Sequence, residues 1–129
     1  MKKMLFLLIL ASIVSCKKDN SQKPSLLVGN WSFISESAYQ NGNIVSTDYF
    51  TTSFLTLHAD NTGSLTANGT SSLLTYTVDN NTITFYITNS TGHSTITGTI
   101  KTLTSSELEI NRSGASGQTL DDIYTNISH

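Results

Sequence analysis

ITFYIT, residues 83–88, alternates apolar side chains with Thr and Tyr. A strand repeats every two residues, so Ile83, Phe85 and Ile87 fall on one face and Thr84, Tyr86 and Thr88 on the other. STITGTI, residues 94–100, does the same, with Ile96, Gly98 and Ile100 on one face and Thr95, Thr97 and Thr99 opposite. Leu55 with Leu57, Leu74 with Tyr76 and Val78, and Leu108 with Ile110 repeat the pattern. Between these runs sit Gln40-Asn41-Gly42-Asn43, Asp60-Asn61-Thr62-Gly63, Asp79-Asn80-Asn81 and Thr104-Ser105-Ser106. Asn, Asp and Gly adopt the left-handed conformations that tight hairpins need. No window beyond the N-terminus holds a helical period.

Working outward, the alternation predicts strands near 29–39, 44–50, 53–59, 64–68, 72–79, 82–88, 94–102, 107–113 and 118–127. The short early strand is expected to merge with its neighbour, giving about eight. Short connections make sequential strands pair, so the predicted fold is all-β, a single antiparallel up-and-down β-barrel. Closure covers the apolar face and removes both sheet edges. The expected inward set is Trp31, Phe33, Leu55, Leu57, Tyr76, Val78, Phe85, Ile87, Ile96 and Ile100. Gly98 and Ala67, on apolar faces, are expected to leave room inside.

The N-terminus reads differently. Met1-Lys2-Lys3 is basic, and Met4 to Val14 is apolar apart from Ser12. That run falls short of the roughly 20 residues a spanning helix needs and has the form of an export signal. It ends at Ile13-Val14-Ser15-Cys16, which resembles the lipobox of bacterial lipoproteins. The resemblance implies cleavage before Cys16, diacylglycerol on its sulfur and an acyl chain, such as palmitate, on its amine. Several chains on one Cys give stable anchoring, at about 0.8 kcal/mol per buried CH₂. The other reading of Cys16, a buried or free thiol, has to place it in a core it is badly positioned to reach. As the chain's one Cys, it allows no internal disulfide and no Cys-pair redox chemistry.

Residues 1–15 are thus read as a lipoprotein signal peptide, 16–25 as lipidated Cys and flexible tether, and 26–129 as the folded domain. Lys17-Lys18-Asp19 after the Cys resembles a surface-display stretch of Bacteroidota lipoproteins; a plain solvated linker is the other reading. The expected location is the outer membrane, lipid-anchored, facing the periplasm or the cell surface.

In the domain, Lys101 and Arg112 oppose eight acids, a net charge of −6 with His neutral. Phosphate binding wants clustered bases, so nucleic acid is not an expected partner. Thr and Ser dominate the polar positions, which suits a sheet with one wet face.

Leu27-Val28-Gly29-Asn30-Trp31 opens the first strand. Phe54-Leu55-Thr56-Leu57 precedes Asp60-Asn61-Thr62-Gly63, Tyr76 precedes Asn80-Asn81-Thr82, and Leu103-Thr104-Ser105-Ser106-Glu107-Leu108 comes late. In this order the elements resemble the small lipocalin-like domains of Bacteroidota lipoproteins, over residues 26 to about 127. The resemblance implies that Gly29 and Trp31 close the barrel base. In lipocalins a late-strand Arg packs across that Trp, so it also implies that Arg112 closes the base by a cation–π contact with Trp31. Here a further strand follows Arg112, a departure from the family, and a solvated Arg112 is the other reading. No lipocalin C-terminal helix is legible, and Thr47-Asp48-Tyr49 lies too early for the lipocalin tripeptide it spells. A smaller relative without a spacious calyx is expected.

Chemistry is sparse. His58, His93 and His129 have no ligand spacing, so no metal is expected, nor any other cofactor. Glu107 and Glu109 share what reads as a solvated face, and Asp121-Asp122 are acidic neighbours. No nucleophile elbow occurs, and no catalytic residue is assigned. The protein is expected to be a monomer and not an enzyme. A binding module would hold one small hydrophobic ligand against Trp31, Phe33, Leu55, Leu57, Tyr76, Phe85 and Ile96. A packed core is the competing account of the same residues. The alternative function is an envelope interaction module, meeting a protein or glycan through exposed Tyr39, Tyr49, Tyr86 and Tyr124.

Overall fold

The computed structural model describes residues 22–128. Its strands are β1 (Gly29–Gln40), β2 (Asn43–Tyr49), β3 (Ser53–Leu57), β4 (Thr62–Ala67), β5 (Thr70–Asp79), β6 (Thr82–Asn89), β7 (Gly92–Leu103), β8 (Glu107–Ser113) and β9 (Thr119–Asn126). Alternation and turn residues therefore place every strand to within two residues. Asn41, Asn61, Asn68 and Asn80 carry positive φ at the reversals, and Gly42 and Gly69 complete two Asn-Gly hairpin loops.

Sequential strands pair antiparallel, and β1 bonds β9 from Trp31 to Tyr39, closing the sheet on itself. β2 and β3 lie end to end along the other edge of β1. Gly29 to Ser32 pair with β3, and Ser35 to Gln40 pair with β2. Nine strands thus fill eight barrel positions, so the expected merging occurs in space while Phe50, Thr51 and Thr52 interrupt the chain.

The expected inward set is buried or partly buried, and Leu27, Leu74, Ile83, Leu108, Ile110 and Tyr124 join it. Hydroxyls dominate outside, where Thr84 pairs with Thr97 at 3.1 Å and Thr66 with Ser71 at 2.7 Å.

Two expectations are corrected. Residues 22–25, read as tether, belong to α1 (Gln22–Leu27), a helix the periodicity did not announce. Six residues are too few for a stable isolated helix, so packing has to hold it. Leu27 is fully buried, and its carbonyl accepts the Trp31 Nε1–H at 2.8 Å. Gly98 leaves no room, because a Cβ there would lie 2.4 Å from Ile110 Cγ2. Ala67, the other such position, is exposed. The signal segment, Cys16 and the rest of the tether lie outside the described residues.

Candidate functional site

The barrel has two unlike ends. At the first, where β1 starts, Leu27, Trp31, Leu57, Ile83 and Leu108 are at most 1% exposed. Trp31 sits at the seam, in register with Leu55 on one side and Asn126 on the other. Gly29 has φ +151°, and a Cβ there would lie 3.1 Å from Ser128 Oγ, so the seam calls for glycine. Ser128 Oγ accepts the Asn30 N–H at 2.6 Å, and the Tyr76 hydroxyl donates to the His58 carbonyl at 2.7 Å.

At the other end, where β8 finishes, charge replaces hydrocarbon inside the barrel. In β8, Leu108, Ile110 and Arg112 alternate inward; in β9, Leu120, Asp122 and Tyr124 do. In β1 the simple alternation of Trp31 and Phe33 would send Glu36 outward. A bulge at Ile34, between Phe33 and Ser35, reverses the phase and sets Glu36 opposite Asp122.

Arg112 Nε donates to Asp122 Oδ2 at 2.6 Å, and its Nη2 donates to Glu36 Oε2. The Asp122 side chain is 6% exposed, and no described protein group donates to its Oδ1. Burial holds the Glu36 carboxyl above its ordinary value despite Arg112, with Asp122 and Asp48 pushing the same way. Burial works against the Arg112 charge, but Asp122 and then Glu36 outweigh it and raise its pKa. Burial, then the Asp122 charge, pushes the Tyr124 hydroxyl well above the ordinary tyrosine value.

A cavity of about 120 Å³ adjoins these charges. Leu55, Leu65, Leu74, Phe85, Ile87, Ile96 and Ile110 form its apolar wall, and Tyr124, Arg112 and Asp122 complete it. Of the residues expected to meet a ligand, Leu55, Phe85 and Ile96 do line the space. Trp31, Leu57 and Tyr76 are buried outside its lining. Phe33 stacks between Phe50 and Tyr124, with ring centroids 4.4 and 4.8 Å away.

The Arg112–Trp31 contact is not made. Arg112 registers with Leu120, which faces Ala38, whereas Trp31 lies at the opposite end of β1. The two carboxylates claim the guanidinium instead. The tyrosines do not converge either: Tyr124 is buried inside, and exposed Tyr49 and Tyr86 stand on the separate strands β2 and β6. Asp121 and Asp122 point to opposite faces, as successive strand residues must. Asp121 meets Lys101 Nζ at 3.3 Å on the outer face, where Lys101 also meets Glu109 at 3.1 Å. His58 and His93 each pair with a threonine hydroxyl, Thr62 and Thr88.

The sequence reading missed Arg112, Asp122 and Glu36 as one group. The signal for two of them was present, since Arg112 and Asp122 occupy the apolar phase of their strands. Glu36 carried no such signal, because the bulge decides its face.

Residues 27–110 match the family model of the lipocalin-like domain. No curated protein matches the chain. In fold, the chain is similar to a lipocalin-like protein from Bacteroides uniformis, with TM-score 0.59, 15% identity, and coverage of 79% of this chain and 99% of that one. It is also similar to an uncharacterized protein from Bacteroides eggerthii, with TM-score 0.55, 11% identity, and coverage of 78% and 98%.

Proposed function

Starting from a chain that belongs to the lipocalin-like domain family, we propose a lipid-anchored, non-catalytic binding module that holds one small, mainly apolar ligand in its barrel. The observation that carries this reading is the cavity of about 120 Å³, walled mainly by aliphatic and aromatic side chains, with Arg112 and Asp122 at its edge. Apolar cavities of about 150 Å³ accept benzene, so the ligand has roughly six heavy atoms and is no fatty acid. The anchor is Cys16, supported by the Ile13-Val14-Ser15-Cys16 stretch, and the location is the outer membrane, supported by the resemblance to Bacteroidota lipoproteins.

Methyl-resolved NMR of the purified protein, titrated with small hydrocarbons, tests the lumen. Saturable shifts at Leu55, Leu65, Ile87, Ile96 and Ile110 are expected, and their absence in a folded protein overturns the reading. Incorporation of a palmitate analogue, lost in Cys16→Ser, tests the anchor.

One observation favours the interaction alternative. Leu73 is 73% exposed and Tyr86 47% exposed, and they flank an outer groove across β4, β5 and β6 with His58 and Thr75. An apolar surface beside hydroxyls suits a protein or glycan partner. Leu73→Ser with Tyr86→Ser removes partner binding under this alternative and leaves lumen shifts intact.

A further inference from the structure

We propose that the lumen selects a small amine in its ammonium form, held by Asp122 beside an apolar body. This rests on the lumen-binding reading and names its ligand class.

Asp122 commits Oδ2 to Arg112 and leaves Oδ1 without a donor among the described residues, on a side chain that lines the cavity. A buried acceptor without a partner is left with its desolvation uncompensated, so Oδ1 calls for a donor. Charge says which kind. Glu36 and Asp122 set two carboxyls against the single guanidinium of Arg112, so the cavity end has one acid more than it has bases. Asp48, opposite Glu36 in the β1–β2 pairing, adds to the negative side. Lys101, the other base among residues 26–128, is engaged on the outer face with Glu109 and Asp121. A ligand cation therefore supplies what the lumen lacks.

The walls exclude a bare ion. Calcium wants six to eight oxygens and magnesium a near-octahedral set, and hydrocarbon lines most of this space. An ammonium that carries its own apolar body meets both demands, and the Phe85 and Tyr124 rings in the wall add cation–π attraction. A neutral alcohol satisfies Oδ1 but leaves the charge uncompensated. The expected order is ammonium, then alcohol, then hydrocarbon.

The test compares cyclopentylamine, cyclopentanol and methylcyclopentane, equal in heavy-atom count, on the purified protein at neutral pH by calorimetry and methyl NMR. Cyclopentylamine is expected to bind about tenfold or more tighter than methylcyclopentane. Asp122→Asn is expected to remove that preference while methylcyclopentane still binds. Glu36→Gln, which lowers the negative charge without touching the lining, reduces the preference and serves should Asp122→Asn fail to fold. Equal binding of all three overturns the amine proposal and leaves the lumen reading standing; it assigns water, or a proton shared with Glu36, to Asp122. A preference that survives in both variants also overturns it. No lumen shift with any probe overturns both.

Discussion

At the end of the barrel where Gly29 begins β1, Leu27, Trp31, Leu57 and Leu108 keep at most 1% of their surface in solvent; at the end where Ser113 finishes β8, Glu36, Arg112 and Asp122 occupy the same inward phase. The first end gains from every methylene it hides, at about 25 cal/mol per Å². The second has to desolvate three charges, and ion pairs in such places often lose to hydrocarbon of the same volume. A barrel built for stability alone would use leucine at both ends. The contrast separates two ways of filling a barrel: hydrocarbon seals the base, while paired charges stand at the edge of the cavity.

The largest expected effect lies at the sealed end. Trp31→Ala removes the biggest fully buried side chain and its hydrogen bond to Leu27, and should cost about 3–5 kcal/mol in urea unfolding. A loss below about 1 kcal/mol would erase the distinction between the ends. Next comes Arg112→Met, which strands two carboxylates and should cost about 3 kcal/mol, with part of the loss recovered in acid as they protonate. The triple replacement Glu36→Leu, Arg112→Met and Asp122→Leu sharpens the comparison. It should be neutral or stabilising by about 1–4 kcal/mol while abolishing the preference for the amine. A large destabilisation by the triple variant would make the charges structural.

The smallest effect is a pair of opposite pH slopes. Glu36, raised above its ordinary 4.5 chiefly by burial, holds its proton more tightly folded than unfolded, so its contribution falls as pH rises through that window. Asp60, in the turn after β3 near the sealed end, is lowered below 3.8 by hydrogen bonds from the Thr62 hydroxyl and N–H. Its contribution is present above 3.8 and is lost as pH falls below it. Unfolding midpoints across the acid range should show Glu36→Gln flattening the first slope and Asp60→Asn the second. The same slope in either variant and the parent would remove that group from the account.

Much of this architecture is legible in the sequence. Residues 83–88 and 94–100 carry the two-residue period without ambiguity, and Asn41-Gly42 and Asn68-Gly69 supply the backbone that their hairpins require. Leu55, Phe85 and Ile96 were legible as cavity wall for the same reason. Arg112 and Asp122 were half legible. Their phase is inward, but the lipocalin resemblance sets the Arg on Trp31, whereas the register sets it beside Leu120, at the opposite end of the barrel. Helix α1 and the inward turn of Glu36 were not legible, because each depends on contacts far along the chain.

The sequence by itself determined the strands, the turns, the meander and the apolar interior, since those follow from side-chain period and from the φ values Asn and Gly tolerate. Tertiary structure alone decided which residues answer Arg112, where the cavity lies and that one oxygen of Asp122 lacks a donor among the described residues. The physical reason is register. Closure of β1 on β9, with one bulged residue at Ile34, fixes which side chains share a level of the barrel, and a local pattern of period two carries no record of that alignment.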